Sequence, residues 1–346
     1  LDFYRFEMPA VVMTACIAHD IGNPPFGHSG EDAIRSFFRE LEGSKKEIIE
    51  KELTENQLND FKNFEGNANA FRILSSIFKK NGLKLTYTTL ASIVKYPSNS
   101  SSGFDKSTGL IATKKSGFFD AETPIFEEMV SLLEIQPIEK TKHIYARHPF
   151  VFLVEAADDI CYRIIDLEDA HRLQIISTHE AVNLLLPFFE GDSAEEYIKN
   201  KVEKLEEGQQ KLSLLRAMLI NLLTKKCTEV FLENEAALLN GTLNKPLIDL
   251  LDERTISLIK KIDDISVKQI YKHISVMEIE IAGYHVIGGL LNEFVTATLY
   301  PKAVKSKMIL QLLPSQFRLQ DDMPLYEKLL QIVDFISGMT DIFAVD

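Results

Sequence analysis

The stretch AHDIGNPPFGHSGE, residues 18–31, sets an adjacent His19 and Asp20 just before Gly22 and the pair Pro24-Pro25. Neighbouring side chains on a helix point about 100° apart, so His19 and Asp20 can share one ion only where a helix ends and its last residues splay. The glycine and the prolines supply that ending, because proline lacks an amide proton and restricts the residue before it. Past the break stand His28 and Glu31. Ser29 has the side chain of an N-cap, which predicts a new helix starting there with Glu31 in its first turn. Such a break is expected to open a concave polar mouth.

A second segment, RHPFVFLVEAADDICYRIIDLEDA at 147–170, places Phe152, Val154, Ala157, Ile160, Cys161 and Ile164 at helical spacing. On this apolar helix Asp158, Tyr162 and Asp166 recur at i, i+4 and i+8, flanked by Glu155 and Asp169. Like charges on one stripe repel, and holding them on a mostly buried helix is costly unless a cation neutralises them. A divalent ion meets that need.

The remaining pattern is almost wholly helical, with amphipathic runs at about 8–20, 30–42, 64–80, 122–134, 150–170, 179–189, 193–235, 243–263, 275–299, 303–312 and 324–338. The expected fold class is therefore all-α, with few or no short strands. Extended backbone is expected only at Leu85–Thr89 and around Gly109-Leu110-Ile111. The segment Tyr96 to Ser116, rich in Ser, Gly and Lys, reads as a mobile loop that could act as a lid. Two parts are expected: 1–190 as a catalytic core and 191–346 as a helical C-terminal part packing on it, with the Glu- and Lys-rich 191–263 at the periphery. There is no Gly-rich phosphate loop.

With 346 residues, 45% apolar and 26% charged, the chain can bury a large core. No apolar run approaches ~18 residues, so no membrane span is expected. Cys16, Cys161 and Cys227 sit in apolar helical contexts and read as core thiols of a reducing compartment, which predicts a cytoplasmic protein. A net charge of −13 argues against strong nucleic-acid binding. His148 before Pro149 reads as an N-cap, and His285, in an apolar helical run, as a core histidine.

These two segments, together with FEGNANAFRIL at 64–74, VKYP at 94–97, AGYHVIGGLLNEF at 282–294 and ISGMTD at 336–341, occur in one order along almost the whole chain. In that set the chain resembles the deoxyguanosine triphosphate triphosphohydrolase (dNTPase) family of HD-domain metal enzymes. The resemblance implies an HD-domain helical bundle with additional helices. It implies a metal held by an upstream His, by the His-Asp pair, here His19 and Asp20, and by a later Asp, here Asp158. The ion would be Mn²⁺ or Mg²⁺, with Ni²⁺ or Fe²⁺ also suited to such ligands. The upstream His has no counterpart, so the chain is expected to be an incomplete copy lacking an N-terminal helix and a short C-terminal piece; the alternative is a lost fourth ligand.

The implied reaction cuts a deoxynucleoside triphosphate between the 5′ oxygen and the α-phosphorus, releasing deoxynucleoside and triphosphate. By the same resemblance His28 is the acid/base group and Glu31 orients or activates it. Asn23 and Asn63 would meet phosphate, and Lys95-Tyr96 would form a basic-aromatic pair on the triphosphate. Tyr162 would close against the sugar and Asp166 would hold its 3′ hydroxyl. Either Arg147 or Arg163 could add positive charge. Each residue also has a plainer role open to it: Asn63 as a helix cap, Lys95 as a surface lysine, Tyr162 as core filler. Family members suggest a second nucleotide as activator and a homo-oligomer, commonly a hexamer. The alternatives are an HD-domain phosphohydrolase of another nucleotide and a catalytically inactive nucleotide sensor.

Overall fold

A computed structural model describes residues 2–75 and 83–346. In chain order the helices are α1 (Met8–Ala18), α2 (Gly27–Arg39), α3 (Gly43–Glu52), α4 (Glu55–Lys62), α5 (Gly66–Ser75), α6 (Tyr87–Ile93), α7 (Thr123–Leu132), α8 (Pro149–Arg172) and α9 (Thr178–Leu185). There follow α10 (Glu195–Lys204), α11 (Gly208–Glu233), α12 (Glu235–Leu239), α13 (Glu253–Ile265), α14 (Ile274–Leu299), α15 (Val304–Gln311), α16 (Leu325–Ser337) and α17 (Asp341–Val345). One small antiparallel ribbon, β1 (Pro137–Glu139) with β2 (Ile144–Tyr145), interrupts them. The fold is all-α and of the HD-domain kind.

Local chemistry explains where the elements depart from the sequence pattern. Of Leu85–Thr89 only the start stays extended, at Thr86 (φ −75°, ψ 155°); its hydroxyl accepts the Thr89 N–H at 3.2 Å and starts α6 at Tyr87. The Gly109 region forms two short 3₁₀ turns, Lys106–Thr108 and Ile111–Thr113. The run 193–235 divides at Leu205 and Glu207, both extended, into α10 and α11. The last five positions of the run 64–80 lie outside the described residues.

Two compact units result: residues 1–151 with 278–346, and residues 152–277. They do not follow a boundary at 190/191. In the first unit Ala33, Phe38, Phe61 and Phe64 share one core with Ile287, Leu291 and Phe294 of α14 and Leu329, Ile332 and Ile336 of α16. Burying those apolar faces together ties the C-terminal helices to α2 and α4. The second unit, which includes 191–263, has its own buried residues. Leu215, Leu219 and Leu223 line one face of α11, with Ala181 and Leu185 of α9 and Ile259 and Ile262 of α13 also buried.

The longest apolar helix is α14, which by length and composition alone could cross a membrane. This corrects the reading of the apolar runs, which Glu278, Glu280 and Glu293 interrupt. Its Ile287, Leu291 and Val295 lie in the core of the first unit.

The two ends of the segment 96–116 are packed: Ser98, Asn99, Ser100, Thr113 and Ser116 are buried, and Ser98 and Asn99 make β-bridges to Ile144 and Phe118. The Ser98 hydroxyl donates to Ala112 O at 2.8 Å and Lys115 O at 3.1 Å, which joins the two ends. Residues 101–110 between them are exposed or half-buried.

Ser100 also donates to Asp60, a carboxylate almost fully buried in the first unit. Tyr326 OH donates to its other oxygen, and Asp120 N–H lies 3.0 Å from both. Burial outweighs these donors and pushes the Asp60 carboxyl up to about 7. A carboxyl raised in the folded state stabilises the fold fully only below its unfolded pKa near 4, and that contribution is lost as pH rises through 7. The unfolding free energy from urea titration, relative to Asp60→Asn, is therefore expected to fall between pH 5 and 7, by up to roughly 1.4 kcal/mol per pH unit. A difference that stays constant with pH would show Asp60 ionised throughout.

Candidate active site

The end of α1 behaves as the prolines require. The last helical bond here, His19 N–H to Ala15 O at 3.0 Å, is followed by the turns Ile21 to Ala18 and Asn23 to Asp20. At this exit His19 and Asp20 come together, Nε2 to Oδ2 at 3.3 Å. His19 Nδ1 lies 2.8 Å from Cys16 O. A carbonyl only accepts, so Nδ1 carries the proton and Nε2 presents its lone pair beside the Asp20 carboxylate. A bond from the far ring nitrogen to a carbonyl is the usual way a metal-ligating imidazole is oriented, and the Asp20 side chain is 62% exposed. An imidazole nitrogen beside a carboxylate suits Mn²⁺, Fe²⁺, Ni²⁺ or Mg²⁺ rather than a thiolate-seeking ion.

The turn is held by α5. A Cβ on Gly22 would meet Ala70 N and Gly66 O, each at 2.1 Å, so only glycine permits this approach. Asn69 Nδ2 donates to Gly22 O at 2.9 Å. A Cβ on Gly66 would meet Asn23 Oδ1 at 2.4 Å and Glu31 Oε1 at 2.9 Å, which places both side chains against the start of α5. With the polar groups of the turn so engaged, the cavity of about 500 Å³ beside Asp20 is lined chiefly by Ile17, Ile21, Leu74, Leu83 and Leu85.

Beyond the break, α2 starts two residues earlier than Ser29. Phe26 takes a left-handed conformation, φ 61°, and its N–H donates to Asp341 Oδ1 at 2.9 Å. Ser29 is inside the helix and donates to Glu280 O at 2.6 Å, so it does not cap. Glu31 lies beyond the first turn and is buried, its Oε1 accepting Gly66 N–H at 2.7 Å and its Oε2 3.5 Å from Arg35. Burial and then the nearby Glu65 push the Glu31 carboxyl up, opposed by Lys115, the Gly66 N–H and Arg35. His28 stands exposed on the first turn, three residues from Glu31.

Among the other expected contacts, Asn63 caps the C-terminus of α4. It accepts from Arg39 at 2.9 Å and donates to Ser100 O at 2.9 Å. Lys95 and Tyr96 form the bend after α6; Lys95 is 8% exposed, unlike a surface lysine. Arg147 is buried in the same unit. His148 does act as an N-cap, its Nδ1 accepting Phe150 N–H at 3.2 Å, and burial pushes its imidazole down to about 4. His285 is exposed on α14 and not a core histidine, because the buried stripe of that helix runs through Gly283, Ile287 and Leu291.

In the second unit, α8 presents Asp158, Tyr162 and Asp166 one turn apart. Tyr162 is 51% exposed, so it is not core filler, and it stacks near Tyr271 with centroids 6.3 Å apart. Tyr271 OH donates to Asp166 Oδ2 at 2.7 Å. Burial raises the Asp166 carboxyl while Tyr271 and Tyr162 oppose it. Tyr271 escaped the sequence reading because it lies in no motif and meets Asp166 across 105 positions. Arg163 is held between Asp159, 2.9 Å, and Asp263, 2.8 Å. Cys16 and Cys161 are half-buried and Cys227 is buried, none in a disulfide among the described residues.

Residues 251–346 match the model of the phosphohydrolase-associated domain. Over 96% of its length the chain is 35% identical to a deoxyguanosinetriphosphate triphosphohydrolase-like protein of Synechocystis sp., covering 75% of that protein. A protein of the same description from Pseudomonas aeruginosa is 34% identical over 98% of the chain and 76% of its own length. The deoxyguanosinetriphosphate triphosphohydrolase of Yersinia pseudotuberculosis is 28% identical over 100% of the chain and 79% of its own length. Similarity at this level over nearly every residue, with the His-Asp pair seated at the end of α1, means that the chain belongs to the deoxyguanosinetriphosphate triphosphohydrolase-like family of HD-domain phosphohydrolases.

Proposed function

We propose that the protein is a metal-dependent hydrolase that converts deoxynucleoside triphosphates, dGTP or several of them, to deoxynucleoside and inorganic triphosphate. The observation that carries this reading is the His19-Asp20 pair at a helix exit, with His19 Nε2 turned toward the carboxylate by the Cys16 carbonyl. His19, Asp20 and Asp158 would hold one Mn²⁺ or Mg²⁺ ion. When bound, such an ion polarises a phosphoryl oxygen and lowers the pKa of a coordinated water.

The protein's own groups do the rest. His28 is the exposed acid/base group next to the 5′ oxygen, a leaving group too basic to depart without a proton. Glu31, three residues along α2, orients or activates His28. Asn23 and Asn63 offer polar contacts to phosphate, Asn63 by exchanging one of its present partners. Lys95 and Tyr96, with either Arg147 or Arg163, add charge and shape at the triphosphate. A second nucleotide as activator, a homo-oligomeric assembly and a cytoplasmic location belong to the same proposal.

Tyr162 and Asp166 would set the sugar. A closely set Tyr162 leaves no space for a 2′ hydroxyl, and Asp166 pairs with the 3′ hydroxyl. Losing that pairing costs roughly 1–3 kcal/mol, or about 5- to 150-fold. Nucleoside release from a ribo-, a deoxy- and a 2′,3′-dideoxynucleoside triphosphate of one base is expected to be fast only for the deoxy form. Equal rates for the three would reduce Tyr162 and Asp166 to helix packing.

A further inference from the structure

The charges behind Glu31 form a set of four drawn from three parts of the first unit. Glu31 and Arg35 lie one turn apart on α2, Glu65 directly precedes α5 and is fully buried, and Lys115 comes from the packed segment before α7. Arg35 reaches both carboxylates, 3.5 Å from Glu31 and 3.4 Å from Glu65, and donates to Phe64 O at 2.9 Å. Lys115 Nζ donates to Glu65 Oε1 at 2.7 Å, and Asn67 donates to the same oxygen at 2.9 Å. Asp32 pairs with Arg35 at 2.9 Å but is mostly exposed, so solvent screens it. Two carboxylates buried at one place need two cations to stay ionised. Arg35 is shared between them, and Lys115 is the second.

We propose that Lys115 is a positioning residue for the phosphohydrolase chemistry: by neutralising Glu65 it holds Glu31 as the carboxylate, the form in which Glu31 orients His28 on the same helix. This rests on the roles given to His28 and Glu31 in the function proposed above. Without Lys115 the two carboxylates compete for Arg35, and the proton that restores balance goes to Glu31, whose burial already favours the neutral form. Substrate, ion and the Lys115 side chain need never touch. The lysine acts through two carboxylates.

The test compares Lys115→Met, Glu65→Gln and the double variant in the full chain. One readout is the pH profile of kcat for dNTP hydrolysis; the other is titration of the Glu31 carboxyl by ¹³C NMR, which needs no activity. Lys115→Met is expected to move the acidic limb and the Glu31 titration up by about one pH unit. Glu65→Gln is expected to move both down, and the double variant to return both to the wild-type position, because it removes one charge of each sign. Unchanged titration in Lys115→Met, or a double variant that stays shifted, overturns the proposal. Should Lys115→Met not fold, Glu65→Gln decides alone: an unmoved Glu31 titration overturns it. Absence of dNTP hydrolysis in the wild type would strike the proposed function, while the NMR arm still decides the coupling.

Discussion

Asp158→Ala is expected to remove the divalent ion and to lower kcat by something on the order of 10³ or more, since a bound ion contributes several kcal/mol of charge stabilisation to phosphoryl transfer. The expectation follows from the spacing on α8, where Asp158 stands one turn before Tyr162 and two before Asp166. Elemental analysis of chelator-free protein, wild type against Asp158→Ala, checks it. Equal metal content in the two would take Asp158 out of the site. Asp20→Ala is expected to behave alike, because the His19 Nε2 lone pair would then lack its carboxylate neighbour.

The second large effect separates chemistry from binding. His28→Ala is expected to lower kcat by on the order of 10²–10⁴ with little change in substrate affinity, as for a lost acid/base group. His28 is exposed on the first turn of α2, so truncating it removes no core contact and the folded state should be unaffected. Steady-state kinetics with binding measured separately would expose the opposite outcome, normal turnover, and with it the end of the acid/base role. Glu31→Ala should resemble His28→Ala more weakly in rate. It should also cost stability, because Gly66 N–H and Arg35 would lose a buried acceptor.

The parts of this site that local physics dictates could be read from residues alone. A helix must stop before Pro24-Pro25, and His19 and Asp20 do splay there. His148, preceding Pro149, caps α8 as its position requires. Pattern failed where distant residues decide. Ser29 has the side chain of a cap, yet Asp341 takes the Phe26 amide and shifts the helix start. The start of the Ser- and Gly-rich segment 96–116 is fixed by Asp60, Ile144 and Phe118, which lie outside it. Glu65 was in view within FEGNANAFRIL, but its partner Lys115 lies 50 positions on, with nothing in the intervening sequence to join them. Domain boundaries failed for the same reason, as α14 and α16 return to the core of α2 and α4.

Incubating each deoxynucleoside triphosphate with the protein and Mn²⁺ or Mg²⁺, and following the products by ³¹P NMR, tests the proposed chemistry most directly. Cleavage between the 5′ oxygen and the α-phosphorus predicts intact inorganic triphosphate in step with free deoxynucleoside. Diphosphate with deoxynucleoside monophosphate, or orthophosphate with the diphosphate, would contradict it.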